Sequence, residues 1–235
     1  MQRRFRPVLA SVVVALPLFA PGAAQAEVRL ELGARTGFGI PAQGNSAGVG
    51  DTLDSEIAGQ VPLWLDVGAR IRPEFFVGAY FDYGVGIPGD LLSLYCAEVT
   101  NGYTEDGCSS RDVRAGAEML FHFLPKAALD PWAGGGFGFE WEGWDIDAHV
   151  PNGAKRSISV TGVGFERLNL HFGLDYALSK HWKLGPFSTL ALSEFRSRTT
   201  SCTGACKDVT LPDRHVSEKT LHEWLFVGIR ATFLP

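Results

Sequence analysis

Long apolar runs are scarce in this sequence. After the first 26 residues, no stretch approaches the ~18 consecutive apolar residues of a membrane-spanning helix. Sustained helical periodicity is absent as well, so neither a helical bundle nor a helical membrane protein is expected. Any membrane-embedded form of this chain would have to cross the bilayer with strands.

The first residues carry the features of an export signal. A basic start, Met1 to Arg6, precedes an uncharged run at 7–20 and a small-x-small ending at Ala24 and Ala26. This pattern predicts a secretory signal peptide over residues 1–26, with a short anchoring helix as the alternative. The mature domain would then be residues 27–235.

Basic charge is in deficit. Without residues 1–26 the chain would hold 18 basic and 26 acidic residues, a formal net charge of −8. This balance argues against nucleic acid as a partner.

Cysteine is sparse but paired along the chain. Cys96, Cys108, Cys202 and Cys206 are the four cysteines. Export implies an oxidising compartment, where disulfides are the default. Three pairings are possible, and Cys96–Cys108 with Cys202–Cys206 is favoured because each pair falls within one predicted loop. A four-thiolate metal site is the alternative, although no His lies at ligand spacing beside them.

A two-residue period dominates the rest of the sequence. From residue 28 to 39 apolar side chains alternate with charged residues and glycine, which is the pattern of a strand with unlike faces. Seven similar runs follow. The seventh is the least regular, and we expect Leu190 and Leu192 on its outer face with Thr189, Ala191 and Ser193 inside.

The connections between these runs alternate in length. Long segments at 41–57, 88–110, 145–158 and 197–219 alternate with short ones at 73–74, 125–131 and 179–181. Membrane barrels have this asymmetry, with short periplasmic turns and longer external loops. An open sheet edge cannot face lipid, so the last strand must pair with the first.

The polar face distinguishes this chain from a soluble eight-stranded barrel. It is rich in glycine, which weakens a strand but suits the crowded interior of a narrow barrel. Aromatic residues also gather near strand ends, where an interfacial girdle would place them. The girdle set comprises Phe38, Phe75, Phe76, Phe123, Trp132, Trp141, Trp144, Trp182, Trp224 and Phe233.

These features predict an all-β fold, an antiparallel eight-stranded up-and-down transmembrane β-barrel with four long external loops. Over essentially the whole mature chain the pattern resembles the small outer-membrane barrels of the OmpA/OmpX type. That resemblance implies the outer membrane, its lipids and lipopolysaccharide, and the barrel-assembly machinery. Such proteins often end in an aromatic residue, whereas here Phe233 is followed by Leu234 and Pro235.

The predicted inner face carries equal numbers of bases and acids. Paired charges are far less costly than unpaired ones in a cramped interior, so we expect an ion-paired plug. The alternative is a water-filled lumen. The predicted network comprises Arg29, Arg35, Arg70, Arg72, Arg114, Arg167 and Arg230 with Glu31, Asp66, Asp82, Glu118, Glu140, Glu142 and Asp175.

Chemistry-bearing motifs are few. His215-Val216-Ser217 faintly resembles the His-x-Ser of outer-membrane lipid A deacylases. Loop acids such as Asp51, Asp54 and Asp145 suit calcium but are typical of a solvated surface. His122 and His171 both point inward by parity, and hydrogen-bonded histidines are expected there in preference to a shared metal.

The sequence thus favours a monomeric structural or surface-interaction protein, not an enzyme, with no cofactor and no metal. Any extracellular ligand would contact the external loops, since loops on a rigid support carry specificity. The alternatives are a small passive channel and, behind it, a lipid-modifying enzyme.

Overall fold

The strands of the barrel follow the alternation of the sequence. A computed structural model describes residues 28–44, 52–99, 104–149, 153–206 and 214–235, and only the backbone of 95, 97–99, 104–106 and 214–220. The predicted signal peptide, 1–26, lies outside the described residues. The elements are β1 (Arg29–Gly44), α1 (Leu53–Glu56), β2 (Ile57–Arg72), β3 (Phe75–Pro88), α2 (Asp90–Val99), β4 (Thr104–His122), β5 (Leu129–His149), β6 (Lys155–Ala177), β7 (Trp182–Gly204) and β8 (Arg214–Phe233).

All eight strands pair antiparallel with their neighbours in one ring. The seam joins β1 to β8 in a register that runs from Leu32 opposite Phe233 to Gly44 opposite His222. The predicted closure of the last strand onto the first is therefore confirmed. Closure satisfies the backbone groups that an open edge would leave in hydrocarbon.

The wall of the barrel is inside out compared with a soluble protein. Along β2, for example, Leu63, Leu65 and Val67 are each about half exposed at 53%, 51% and 52%, whereas Trp64 and Asp66 between them are buried. The same alternation runs along the other strands. An apolar outer belt around a charged interior is the arrangement of an integral outer-membrane barrel.

The short and long connections fall at opposite ends, as predicted. The short ones follow β2, β4 and β6 at what we call the inner end, and the helices α1 and α2 lie at the outer end. The connections differ from prediction in detail. The ten-residue α2 lies where only loop was expected. The predicted third loop, 145–158, is mostly strand because β5 continues to residue 149 and β6 begins at 155. The predicted fourth loop, 197–219, is also mostly strand because β7 continues to residue 204 and β8 begins at 214.

Neither helix is long and apolar enough to span a bilayer, and the same holds for every helix among the described residues.

The outer ends of β5, β6 and β7 continue well beyond the crossing. These strands have 21, 23 and 23 residues, whereas a tilted strand crosses hydrocarbon in ~9–11 residues. Against this extension pack Leu92 and Cys96 of α2, beside Trp144, Ile146 and Val160. The result is an outer domain made of strand and helix instead of loose loops.

The two disulfides pair as predicted. Cys96 in α2 bonds to Cys108 in β4, and Cys202 in β7 bonds to Cys206 just after it. The first joins the helix to the wall of the outer extension, and the second closes a short turn.

Candidate functional site: the filled lumen

Eleven of the fourteen charged residues predicted for the lumen lie buried inside it. They are Glu31, Arg35, Asp66, Arg70, Asp82, Arg114, Glu118, Glu140, Glu142, Asp175 and Arg230. Each occupies an inward position of its strand.

Three predicted members are exposed, so their assignment to the lumen is wrong. Arg29 and Arg72 stand at the inner ends of β1 and β2, where the wall no longer covers them. Arg167 points outward because β6 bulges there. Gly136 pairs with Asn169 but Gly138 pairs with Glu166, so Arg167 and Leu168 together oppose a single residue.

The inner half of the lumen is closely paired. Arg35 donates to Asp66 at 2.6 Å and to Glu118 at 2.8 Å. Arg230 reaches Glu31 at 3.1 Å and Asp175 at 3.3 Å. These charge-assisted contacts offset much of the cost of removing the charges from water.

At the innermost level the network extends to Asp130 and Lys183, whose inward positions were not predicted from the alternation of the sequence. Lys183 donates to Asp130 at 2.8 Å, and His122 contacts the same carboxylate at 2.8 Å. Arg70 bonds to Glu31 at 2.6 Å. Asp130 and Lys183 begin strands beside predicted turns, where the period-two pattern is too short to assign a face.

The outer half centres on Arg114 and is far more acidic. Arg114 contacts Asp112 at 2.8 Å, Glu140 at 2.6 Å and Glu166 at 3.6 Å. Six buried carboxylates lie in this half, and Arg114 is the fully buried cation among them in the described part of the chain. The six are Glu56, Asp82, Asp112, Glu140, Glu142 and Glu166.

Several of these outer residues were not predicted. Asp112 lies two residues before Arg114 on the same face of β4. The predicted strand begins after Asp112, so the alternation pattern is not extended to it. Glu166 is inward only because of the bulge in β6. Glu194 is also buried, but it lies on the outward face of β7, opposite Phe165 and Leu221 and in contact with Arg167. His222 lies inside β8, at the level where an external loop was expected to end.

Aromatic rings fill the space that the charges leave. The Arg35 guanidinium lies 4.7 Å from the centroid of Trp64, Arg230 lies 4.7 Å from that of Trp132, and Arg114 lies 5.0 Å from that of Phe226. All six side chains are at most 2% exposed. Such stacking adds cation–π attraction to the ion pairs.

The predicted aromatic girdle is accordingly only partly present. Phe76, Trp132 and Trp224 are buried in the lumen, and Trp144 is buried beside α2. Phe38, Trp141 and Trp182 do lie on the outer surface, at 42%, 37% and 50% exposure.

Glycines make room for this filling. A Cβ added to Gly173 would collide with the Trp132 ring, and one added to Gly39 would collide with Phe226. The glycine-rich inner face is thus the complement of the large residues facing it.

The outer mouth of the lumen is covered by the two helices. Leu53 of α1 and Ile57 after it are fully buried against the lumen aromatics, including Phe195 and Trp224. The Gly89 N–H donates to the Glu56 carbonyl at 2.9 Å, which fixes the start of α2 beside α1.

Comparisons with known proteins place the chain by fold only. No family model matches it, and no curated protein does. Neisserial surface protein A is 9% identical with a TM-score of 0.44, and the match covers 87% of this chain and 95% of that chain. A major outer membrane protein from Thermus thermophilus is 12% identical with a TM-score of 0.45, over 88% and 99% of the two chains.

The outer membrane protein OprG from Pseudomonas aeruginosa gives a similar result. It is 14% identical with a TM-score of 0.43, over 89% of this chain and 98% of that chain. The likeness extends to the small outer-membrane barrel and to nothing more specific.

Proposed function

We propose that this protein is a non-conducting outer-membrane scaffold that holds a structured outer domain at the cell surface for interaction with other molecules. In this proposal the barrel is an anchor whose lumen is plugged, and the protein has no catalytic role. Cleavage of residues 1–26 on export and a monomeric state are parts of the same proposal.

The observation that carries the proposal is the filling of the lumen by arginine–aromatic pairs at successive depths. Arg230 with Trp132, Arg35 with Trp64, and Arg114 with Phe226 occupy the interior from the inner to the outer half. Each guanidinium is also held by carboxylates, so moving one aside would strand opposite charges in a poorly hydrated space. An ion crossing the barrel would have to displace all three arginine–aromatic pairs.

The outer extension supports a surface-interaction role. A barrel that only fills the membrane has no need for strands of 23 residues or for a helix tied to the wall by the Cys96–Cys108 disulfide. Rigid support lowers the entropy lost when a surface binds a partner.

The outer wall also suits the lipids of the outer leaflet. Arg167 and Arg196 are exposed on β6 and β7 beside the wall residue Glu194, and the Arg196 guanidinium lies 5.9 Å from the Phe165 centroid. Exposed guanidinium groups at the upper edge of an apolar belt are suited to phosphate groups. We include lipopolysaccharide among the proposed partners, with the assembly machinery during biogenesis and without nucleic acid.

Planar-bilayer recording tests the plug. Purified folded protein should give no stable, ohmic current steps. A triple variant, Trp64→Ala, Trp132→Ala and Phe226→Ala, keeps every lumen charge but removes the ring of each arginine–aromatic pair, and we expect it to conduct. Stable large steps from the wild-type protein would refute the plug and favour the passive-channel alternative.

The matched control removes rings from the outer surface instead. Trp141→Ala with Trp182→Ala leaves the lumen unchanged and should stay silent. Equal conductance in this control and in the triple variant would show that the current comes from disturbed lipid packing around the barrel.

The lipid-modifying alternative has its own test. The side chains of His215 and Ser217 lie outside the described residues. Mass spectra of lipid A from cells with and without the protein should be identical, and a change in acyl count would contradict the scaffold proposal.

A further inference from the structure

A histidine and two glutamates converge in the outer half of the lumen. Glu140 and Glu142 lie two residues apart on the inner face of β5, and His222 reaches them from β8. One ligand atom from each of the three lies within 4.8 Å of the others. The three residues are 0%, 4% and 0% exposed. We call them the Glu-Glu-His cluster.

Neighbouring residues hold the cluster in place. Arg114 donates to one oxygen of Glu140 at 2.6 Å, and the other oxygen lies 2.7 Å from the Nε2 of His222. The His222 ring is stacked on Phe195, with centroids 4.2 Å apart and planes 17° from parallel. Metal-binding side chains are commonly oriented by such outer contacts.

Two atoms of the cluster that could ligate a metal have no hydrogen-bond partner. Oε2 of Glu142 and Nδ1 of His222 are buried without a hydrogen bond. A buried carboxylate oxygen without a partner is costly, and it demands either a proton or a cation. The Glu142 oxygen belongs to the cluster, so its cost would fall if one cation were bound there.

The surrounding charge also favours a cation. Glu142 lines a small cavity of about 10 Å³ together with Glu56 and Arg198. Arg198 lies 3.6 Å from Glu56, so this cation is directed at the neighbouring carboxylate. The acidic excess of the outer half therefore remains at the Glu-Glu-His cluster.

A second group of the same residue types shows the contrast. His122, Asp130 and Asp175 also converge, at the inner end of the lumen. There Lys183 donates to Asp130 at 2.8 Å, and Trp132 donates to Asp175 at 3.0 Å. Protein donors already satisfy that group, and it carries no inference.

We propose that the Glu-Glu-His cluster binds one divalent transition-metal ion of the Zn²⁺ class. The ligands would be one nitrogen of His222 and an oxygen from each glutamate, with water at the remaining position. Imidazole with carboxylates suits Zn²⁺, whereas Ca²⁺ takes six to eight oxygen ligands. Metal bonds to Glu140 and His222 would replace the hydrogen bond between them.

Metal binding to the folded protein tests the proposal. The barrel is purified in detergent, treated with chelator and titrated with Zn²⁺ by calorimetry, with metal content measured by mass spectrometry. We expect one tight site per barrel, and no comparable binding of Ca²⁺. Glu142→Gln and His222→Gln should each weaken binding at least tenfold. His171→Gln removes a buried histidine beside Arg35 and should leave binding unchanged.

Histidines at the outer ends of β5 and β8 provide the decisive contrast. A double variant, His149→Gln with His215→Gln, should bind Zn²⁺ as the wild type does. Loss of binding in that double variant, with retention in His222→Gln, would place the ion on the outer surface and overturn the proposal. Wild-type barrel that binds no Zn²⁺ would overturn it directly, even if a lumen variant fails to fold.

The two proposals fail separately. A conducting barrel that binds Zn²⁺ would remove the plug and keep the metal site. A barrel that neither conducts nor binds Zn²⁺ would remove the metal site and keep the plug.

Discussion

Buried arginines in this lumen have more partners than a simple ion pair. Arg114 is fully buried, with three carboxylates around it and the Phe226 ring 5.0 Å away. Arg35, with two acids, and Arg230, with three, follow the same plan, and each lies beside a ring. The planar guanidinium permits this because its edge donates hydrogen bonds while its face stacks. Lysine could fill only part of this role.

Arg114→Met therefore should destabilise the barrel strongly. The substitution keeps bulk but leaves Asp112, Glu140 and Glu166 without their cation. Breaking a buried charge pair on one side typically costs about 3–5 kcal/mol. Urea titration of the protein refolded in lipid vesicles, followed by tryptophan fluorescence, measures the free energy of unfolding.

Arg72→Ala is the control for that experiment. Arg72 is exposed at the inner end of β2, and surface substitutions usually stay within about 0.5 kcal/mol. Equal losses in the two variants would mean that the Arg114 network adds nothing to stability.

At the scale of elements, the sequence predicts which segments form strands, but it does not predict where a strand bulges. Period-two alternation revealed the eight strands and the inward position of residues such as Arg35 and Glu118. It failed at Arg167, because a β-bulge changes which face a residue takes and leaves the composition of the strand unaltered. A bulge depends on the register between two paired strands, and the sequence of one strand alone does not contain that information.

The helix α2 was missed for a different reason. Its residues 90–99 show only a weak amphipathic pattern, and the stability of a ten-residue helix comes from packing. Here that packing consists of Leu92 and Cys96 against Trp144, Ile146 and Val160. The contacts join segments more than 40 residues apart in sequence, so they emerge only once the barrel has closed.

The Cys96–Cys108 disulfide is expected to hold α2 without being needed by the barrel. It closes a loop of sequence separation 12, and a loop of about 15 residues gains ~3 kcal/mol from closure in the chain-entropy account. Cys96→Ser with Cys108→Ser should therefore speed proteolysis between α2 and β4 at least tenfold. Heat-modifiable gel mobility, which reports the closed barrel, should remain.

The shorter disulfide is the matched control. Cys202→Ser with Cys206→Ser opens a loop of sequence separation 4 on the same outer side, and closing so short a loop gains less. Proteolysis near α2 should keep its wild-type rate. An unchanged rate in the Cys96 and Cys108 variant would show that packing alone holds the helix.

At the scale of the whole molecule, burial runs opposite to that of a soluble protein. Charged residues fill the interior, and large apolar residues such as Leu65 and Val67 remain half exposed on the outside. In water this surface would be a severe aggregation hazard. In a bilayer the same surface meets hydrocarbon, and the closed ring leaves no backbone edge unpaired.

A charge placed on the outer wall should therefore cost energy according to its depth. Leu65 lies near the middle of the apolar belt on β2 and is 51% exposed, whereas Val28 stands just before β1 at the inner end and is 60% exposed. In transmembrane barrels an outward arginine costs about 2–4 kcal/mol at the bilayer midplane and ~0–1 kcal/mol near an interface.

Leu65→Arg should therefore lower the free energy of unfolding more than Val28→Arg does, as measured by urea unfolding from vesicles. Exposure is similar at the two sites, so a difference in cost would come from depth in the hydrocarbon. Equal, small losses would mean that water contacts the belt and that the barrel does not span a membrane.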